Sequence, residues 1–63
     1  MFFKKEKMFE CILIGVKEEK EYYAVRESKN EKFFIAFLKG NFFISNEFPT
    51  YENIKDCRKA FKR

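Results

Sequence analysis

The sequence predicts an α+β domain in which a four-stranded antiparallel β-meander is followed by one C-terminal α-helix packed on one face of the sheet. Three observations carry that expectation. Runs rich in Ile, Val, Phe and Tyr between residues 8 and 48 are separated by short polar stretches. Gly40 and Asn41 stand between two such runs, a two-residue hairpin signal because both residues tolerate positive φ. Beyond Pro49, the residues Tyr51, Ile54, Cys57 and Phe61 recur at spacings of 3, 3 and 4 and draw one apolar helical stripe.

Each element follows in order. Residues 8–17 (MFECILIGVK) read as the first strand, and 17–20 (KEEK) as a charged turn. Residues 21–27 (EYYAVRE) form the second strand, and 28–31 (SKNE) carry turn chemistry. Residues 32–39 (KFFIAFLK) and 42–48 (FFISNEF) are the third and fourth strands, flanking the Gly40-Asn41 turn. The helix runs over 51–62, with Thr50 as its N-cap. Arg58, Lys59, Lys62 and Arg63 load its end, where cations suit the helix dipole. Residues 1–63 make a single domain, with residues 1–7 a flexible basic N-terminus.

A chain of 63 residues buries only about 60% of the surface it exposes unfolded, so its stability is marginal. The composition argues against a metal: there is no His, and two Cys are too few for a structural zinc site. Cys11 and Cys57 stand in no recognisable disulfide framework; the sequence leaves one disulfide between them open, and the favoured reading is two buried, reduced thiols, the pattern of a reducing cytoplasm. The longest apolar run, Phe33 to Leu38, is six residues, against the roughly 20 of a membrane-spanning helix. The first ten residues place charges where a signal peptide carries its apolar region. The expectation is a cytoplasmic chain without membrane contact, of a kind frequent among small phage and virus genes.

The segment from Lys32 to Ser45 is apolar at nine of fourteen positions and does not alternate, so both faces of the sheet are greasy. Strand parity with the turns above puts Phe9, Cys11, Leu13, Tyr22, Ala24, Phe33, Ile35, Phe37, Phe42, Ile44 and Phe48 on one face, which the helix covers. Parity puts Met8, Ile12, Ile14, Val16, Tyr23, Val25, Phe34, Ala36, Leu38 and Phe43 on the other, for which the chain offers no cover except the N-terminal MFFKK at 1–5. So large an apolar face on a monomer calls for a partner or for closure. Three arrangements satisfy it: the sheet curls into a small barrel, two copies stack as a homodimer, or a foreign protein binds. The expected interface residues are Ile12, Ile14, Val16, Tyr23, Val25, Phe34, Ala36, Leu38 and Phe43.

Catalytic signals are absent. No His supplies a general base, the sequence around Ser28 and Ser45 shows no glycine elbow or evident base, and Gly15 and Gly40 form no phosphate loop. No cofactor is implied, and the chain reads as no enzyme. The net charge is +4 and the pI near 9.2, a weak pointer to nucleic acid. Residues 8–57 hold seven Lys and Arg against nine acids, so the basicity lies at the ends: Lys4, Lys5 and Lys7, then Arg58, Lys59, Lys62 and Arg63.

The junction FPTYENIKDC at 48–57 resembles the strand-to-helix junction of AP2-like domains, including the small sheet domains at the N-termini of some phage integrases, where a Phe-x-Thr-x-Glu-x-Ala pattern opens the helix after a three-stranded sheet. Phe48, Thr50 and Glu52 match that pattern, and Ile54 stands where it has Ala. The resemblance covers about ten residues and implies a sheet face that reads DNA. The sequence thus leads first to a small non-enzymatic interaction protein, phage- or virus-encoded, that binds and inhibits or modulates a host enzyme or defence complex through an apolar sheet face. The alternative is a small nucleic-acid-binding protein or transcriptional regulator acting through its basic ends.

Overall fold

The computed structural model describes residues 1–46 and 48–63. It is an α+β domain: strands β1 (Phe2–Lys4), β2 (Glu10–Lys17), β3 (Lys20–Arg26), β4 (Phe33–Lys39), β5 (Phe42–Ile44) and β6 (Thr50–Tyr51) precede helix α1 (Ile54–Phe61). The strands form one antiparallel sheet in the order β1-β5-β4-β3-β2, with β6 also paired to β4. The meander expected from the sequence is its centre, β2 to β5. The sheet is five strands wide because β1 adds to the edge beyond β5, while β6 pairs with the start of β4 on the same side as β5 and continues that position. Glu47, placed in the fourth strand by the sequence, lies outside the described residues.

Two tight turns set the register. Lys39 pairs with Phe42 across Gly40-Asn41, and Gly40 has φ 63°. Lys17 pairs with Lys20, so Glu18 and Glu19 are the two central residues, at φ 52° and 65°. Positive φ at both is the geometry whose twist matches a hairpin. Val25 faces Phe34, Phe37 faces Ile44 and Leu38 faces Phe43, as parity required.

In β2 the parity fails. Val16 pairs with Glu21 as expected, but Leu13 rather than Ile14 faces Tyr23, because the register shifts between Leu13 and Gly15. This bulge moves every earlier β2 residue to the opposite face. Ile12 and Ile14 thereby turn to the helix side, where Ile12 pairs with Ala24 and Ile14 packs around Ala24, Phe33 and Cys57. Cys11 turns to the other side, beside Val25. The two thiols, expected on one side of the sheet, lie on opposite sides and are free.

The helix also starts later than the stripe implied. Thr50 and Tyr51 pair with Phe34 and Phe33 instead of opening it. The cap is Asn53, whose side-chain oxygen accepts from the Asp56 N–H at 2.9 Å, satisfying an otherwise unpartnered first-turn donor. The stripe still does its work: Tyr51, Ile54 and Cys57 pack on Ala24 and Phe33.

The N-terminus is not a loose tail. β1 pairs with β5 at one edge of the sheet. A 3-10 turn, Lys5–Lys7, follows, and the Lys5 N–H donates to Asn41 O at 2.9 Å. The chain then reaches β2 at the far edge, where the Phe9 N–H donates to Arg26 O at 3.0 Å. A flat five-stranded sheet would hold those edges about 19 Å apart. The link from Lys4 to Glu10, half of it spent in the tight turn, reaches only about 16 Å. The sheet must therefore curl, and Phe3 and Met8 close its concave side over Val25, Phe34, Ala36 and Phe43. Phe43 and Val25 are 0% exposed and Phe34 only 5%.

Candidate nucleic-acid interface

The residues read from the sequence as partner-facing are dispersed by this arrangement. Val25, Phe34, Ala36 and Phe43 are interior to the single chain, with Tyr23 and Leu38 half-buried around them. Ile12 and Ile14 belong to the helix side, and Val16 alone of the nine is exposed. Phe3, from the N-terminal segment that the sequence offered as the one candidate cover, packs on this face together with Met8.

Leu13 and Val16 stay exposed along the edge strand β2 on that concave side, and the exposed rings of Phe2 and Phe42 lie on the helix side. Helix α1 is eight residues long, about 12 Å, and packs on β2, β4 and β6. It leaves β5 and β1 open. Pairing register draws two adjacent rows across that side, since paired residues share a face. One row runs Phe2, Ile44, Phe37, Tyr22, Gly15. The Phe61 ring lies over its far end, 5.3 Å from the Tyr22 ring. The neighbouring row holds Lys4, Phe42 and Lys39, and the Lys20–Lys17 pair lies beyond it at the same end of the sheet.

Aromatic rings and ammonium groups are interleaved in these rows. Lys20 Nζ is 4.9 Å from the Phe37 ring centroid and Lys17 Nζ 4.3 Å from that of Phe61. Lys17 also donates to Phe61 O. Phe2 and Phe42 meet edge to face at 6.4 Å, and they are 72% and 42% exposed. A groove of about 310 Å³ lined by Tyr22, Ile35, Phe37, Ile44 and Phe48 continues the surface. Neither row contains a carboxylate. The acid on this side of the paired strands is Glu10, which is held at 2.6 Å by Arg26 at the opposite end of β2 and β3. Glu18 and Glu19 stand in the turn beyond Lys17 and Lys20.

Both basic ends of the chain lie at the end of the sheet that carries its two hairpin turns. Lys4 and Lys5 are there because the Lys5 N–H bonds to Asn41 O, and the end of α1 because Phe61 rests on Gly15; Lys7 leads away from that end, toward Phe9, which bonds to Arg26 at the other end. Of the seven expected contacts, Lys4 joins the rows directly. Lys5 and Lys7 are in the 3-10 turn, and Arg58, Lys59, Lys62 and Arg63 are exposed at the helix end. Sequence reasoning missed Lys17, Lys20 and Lys39, which stand between these two groups. Each flanks a tight turn, and the pairing implied by those turns was the signal that would have aligned them. Among the described residues, no three His, Cys, Asp or Glu gather to hold a metal, and no helix is long and apolar enough to cross a membrane.

The remaining titratable features are thiols. Burial pushes the Cys57 thiol up to about 11, with the Asp56 carboxylate adding to the effect. Burial raises Cys11 as well; Lys5 opposes that shift and Glu10 adds to it. Neither is primed as a nucleophile, which requires the thiolate. No family model matches the chain, and no curated protein or solved structure matches it.

Proposed function

We propose that this chain is a non-catalytic nucleic-acid-binding module whose contact surface is the helix-free part of the sheet. The observation that carries this reading is the placement of Lys4, Lys39, Lys20 and Lys17 at one end of one sheet face, beside Phe42, in strand rows that hold no carboxylate; Glu6, in the turn after β1, is the acid beside Lys4 and Phe42. Cations aligned with exposed aromatics suit a polyanion with stackable bases. The basic helix end extends the field from Lys17 onward. Four phosphate contacts would lower affinity on the order of 50-fold between about 50 and 200 mM salt. Fluorescence anisotropy with labelled oligonucleotides across that range tests it, together with a Lys20→Glu/Lys39→Glu variant. Loss of binding in the variant and a steep salt slope support the reading. Absence of binding by the wild type at about 50 mM salt removes it.

A protein partner is the second reading, and the exposure of Phe2, Phe42 and Phe48 favours it. Contiguous exposed apolar surface marks protein interfaces as well as other sites. The position of that surface differs from the one the sequence indicated. Binding to a protein through it would depend little on salt, in contrast to phosphate contacts.

A further inference from the structure

We infer that the strand bound on this face is single-stranded, with bases stacking on Phe2 and Phe42 while phosphates follow the lysines. This rests on the nucleic-acid reading above and specifies its ligand. The rings are the first argument. An edge-to-face contact at 74° occupies one face of one ring only, so stacking surface remains on both. In a duplex, base faces are already stacked on one another, and exposed rings on a protein find no partner there. A single strand presents those faces, and each base has one.

The second argument is what the rows lack. Base edges in a duplex groove are read by Arg, Lys, Asn and Gln carried on a helix or ribbon that enters the groove, and a broad sheet face with Lys as its one such side chain does not enter it. The two rows hold Phe, Ile, Tyr, Gly and Lys. Lys4, Lys39, Lys20 and Lys17 are left to meet phosphates, and ring faces cannot distinguish one base from another. Binding is therefore tolerant of sequence. The groove bounded by Phe37, Ile44 and Phe48 lies next to the rings and offers the adjoining base an apolar wall.

The experiment compares an oligothymidylate of about 15 nucleotides, within the span of one small single-strand module, with a mixed-sequence duplex of equal length at about 50 mM salt. The expected result is at least tenfold tighter binding of the single strand, with oligocytidylate close to oligothymidylate. Phe2→Ala and Phe42→Ala should each weaken it roughly 5- to 150-fold. Phe2→Leu and Phe42→Leu retain apolar bulk but lose the ring, and should also weaken it several-fold, with circular dichroism unchanged. Equal or tighter duplex binding, with neutral Phe variants and a damaging Lys20→Glu/Lys39→Glu change, overturns the single-strand inference and leaves nucleic-acid binding standing. Binding to neither probe, with sedimentation showing a dimer that Phe42→Ala dissociates, overturns both and assigns the face to a second copy.

Discussion

Phe61 rests on Gly15 so closely that a Cβ at Gly15 would sit 2.9 Å from Phe61 Cζ. That contact fixes where the end of the helix meets the sheet. The ring also touches Tyr22 and lies under Lys17 Nζ, so it has little room to retreat. Gly15→Ala is expected to destabilise the fold by about 1–3 kcal/mol through overpacking. In a Phe61→Ala background the same change should cost less, because the clashing ring is gone. Urea denaturation of the four proteins in this cycle measures the coupling.

The β2–β3 turn offers the opposite kind of change. Glu18 and Glu19 both hold positive φ, 52° and 65°, a region where side chains with a Cβ cost roughly 1–2 kcal/mol per residue. Asn-Gly is the preferred pair for this turn. Replacing Glu18 by Asn and Glu19 by Gly is expected to stabilise the domain by about 1 kcal/mol or more. For a chain of this size that corresponds to a melting temperature higher by about 4–8 °C. A thermal melt at fixed salt checks it, and an unchanged melting temperature would show that the turn is not strained.

The centre of the meander was legible because parity and two tight turns agree there: Val25 with Phe34 and Leu38 with Phe43 follow from counting. Three features were not. The β2 bulge leaves no composition signal, since Leu13, Ile14 and Gly15 are acceptable in either register, yet it reverses Cys11 and Ile12. Thr50 has the chemistry of an N-cap, but pairing with Phe34 outcompetes it and Asn53 caps instead. Three residues, Phe2 to Lys4, are too few for any periodicity to announce a strand. The candidate site was half-visible for the same reason. The basic ends could be read directly, whereas Lys17, Lys20 and Lys39 acquire meaning only once the register aligns them with Phe42 and Lys4.

The buried thiol gives the fold a predictable alkaline limit. Cys57 rises from the ordinary 9.0 to about 11 in the folded state. The folded chain therefore retains a proton that the unfolded chain has lost between those values. Stability contributed by the neutral thiol is complete below about pH 9 and declines as pH rises toward 11. The full effect is about 2–3 kcal/mol. Cys57→Ala should show a shallower fall in urea midpoint from pH 8.5 to 10.5 than wild type, whatever its stability at pH 7. Parallel slopes would mean that this thiol does not drive the loss. In native labelling, half-buried Cys11 should react before Cys57.

The neighbours Phe2 and Phe3 have opposite duties, and that difference separates folding from binding. Alternation in β1 sends Phe3 into the concave side, where its ring lies 5.1 Å from that of Phe34. Phe2 points the other way, onto the open face. Phe3→Ala is expected to cost about 2–4 kcal/mol, near the range for truncating a packed aromatic, and to expose Val25, Phe34 and Phe43 to a hydrophobic dye. Phe2→Ala should change the unfolding free energy by less than about 0.5 kcal/mol, as for a surface position. Phe34→Glu should unfold the chain, because Phe34 is interior and a charge there has no partner. If Phe34→Glu stays folded, or if Phe2→Ala destabilises as much as Phe3→Ala, the N-terminal segment does not close the concave side in solution. The face would then be free for another surface. Denaturation and dye binding on the three variants decide between these outcomes.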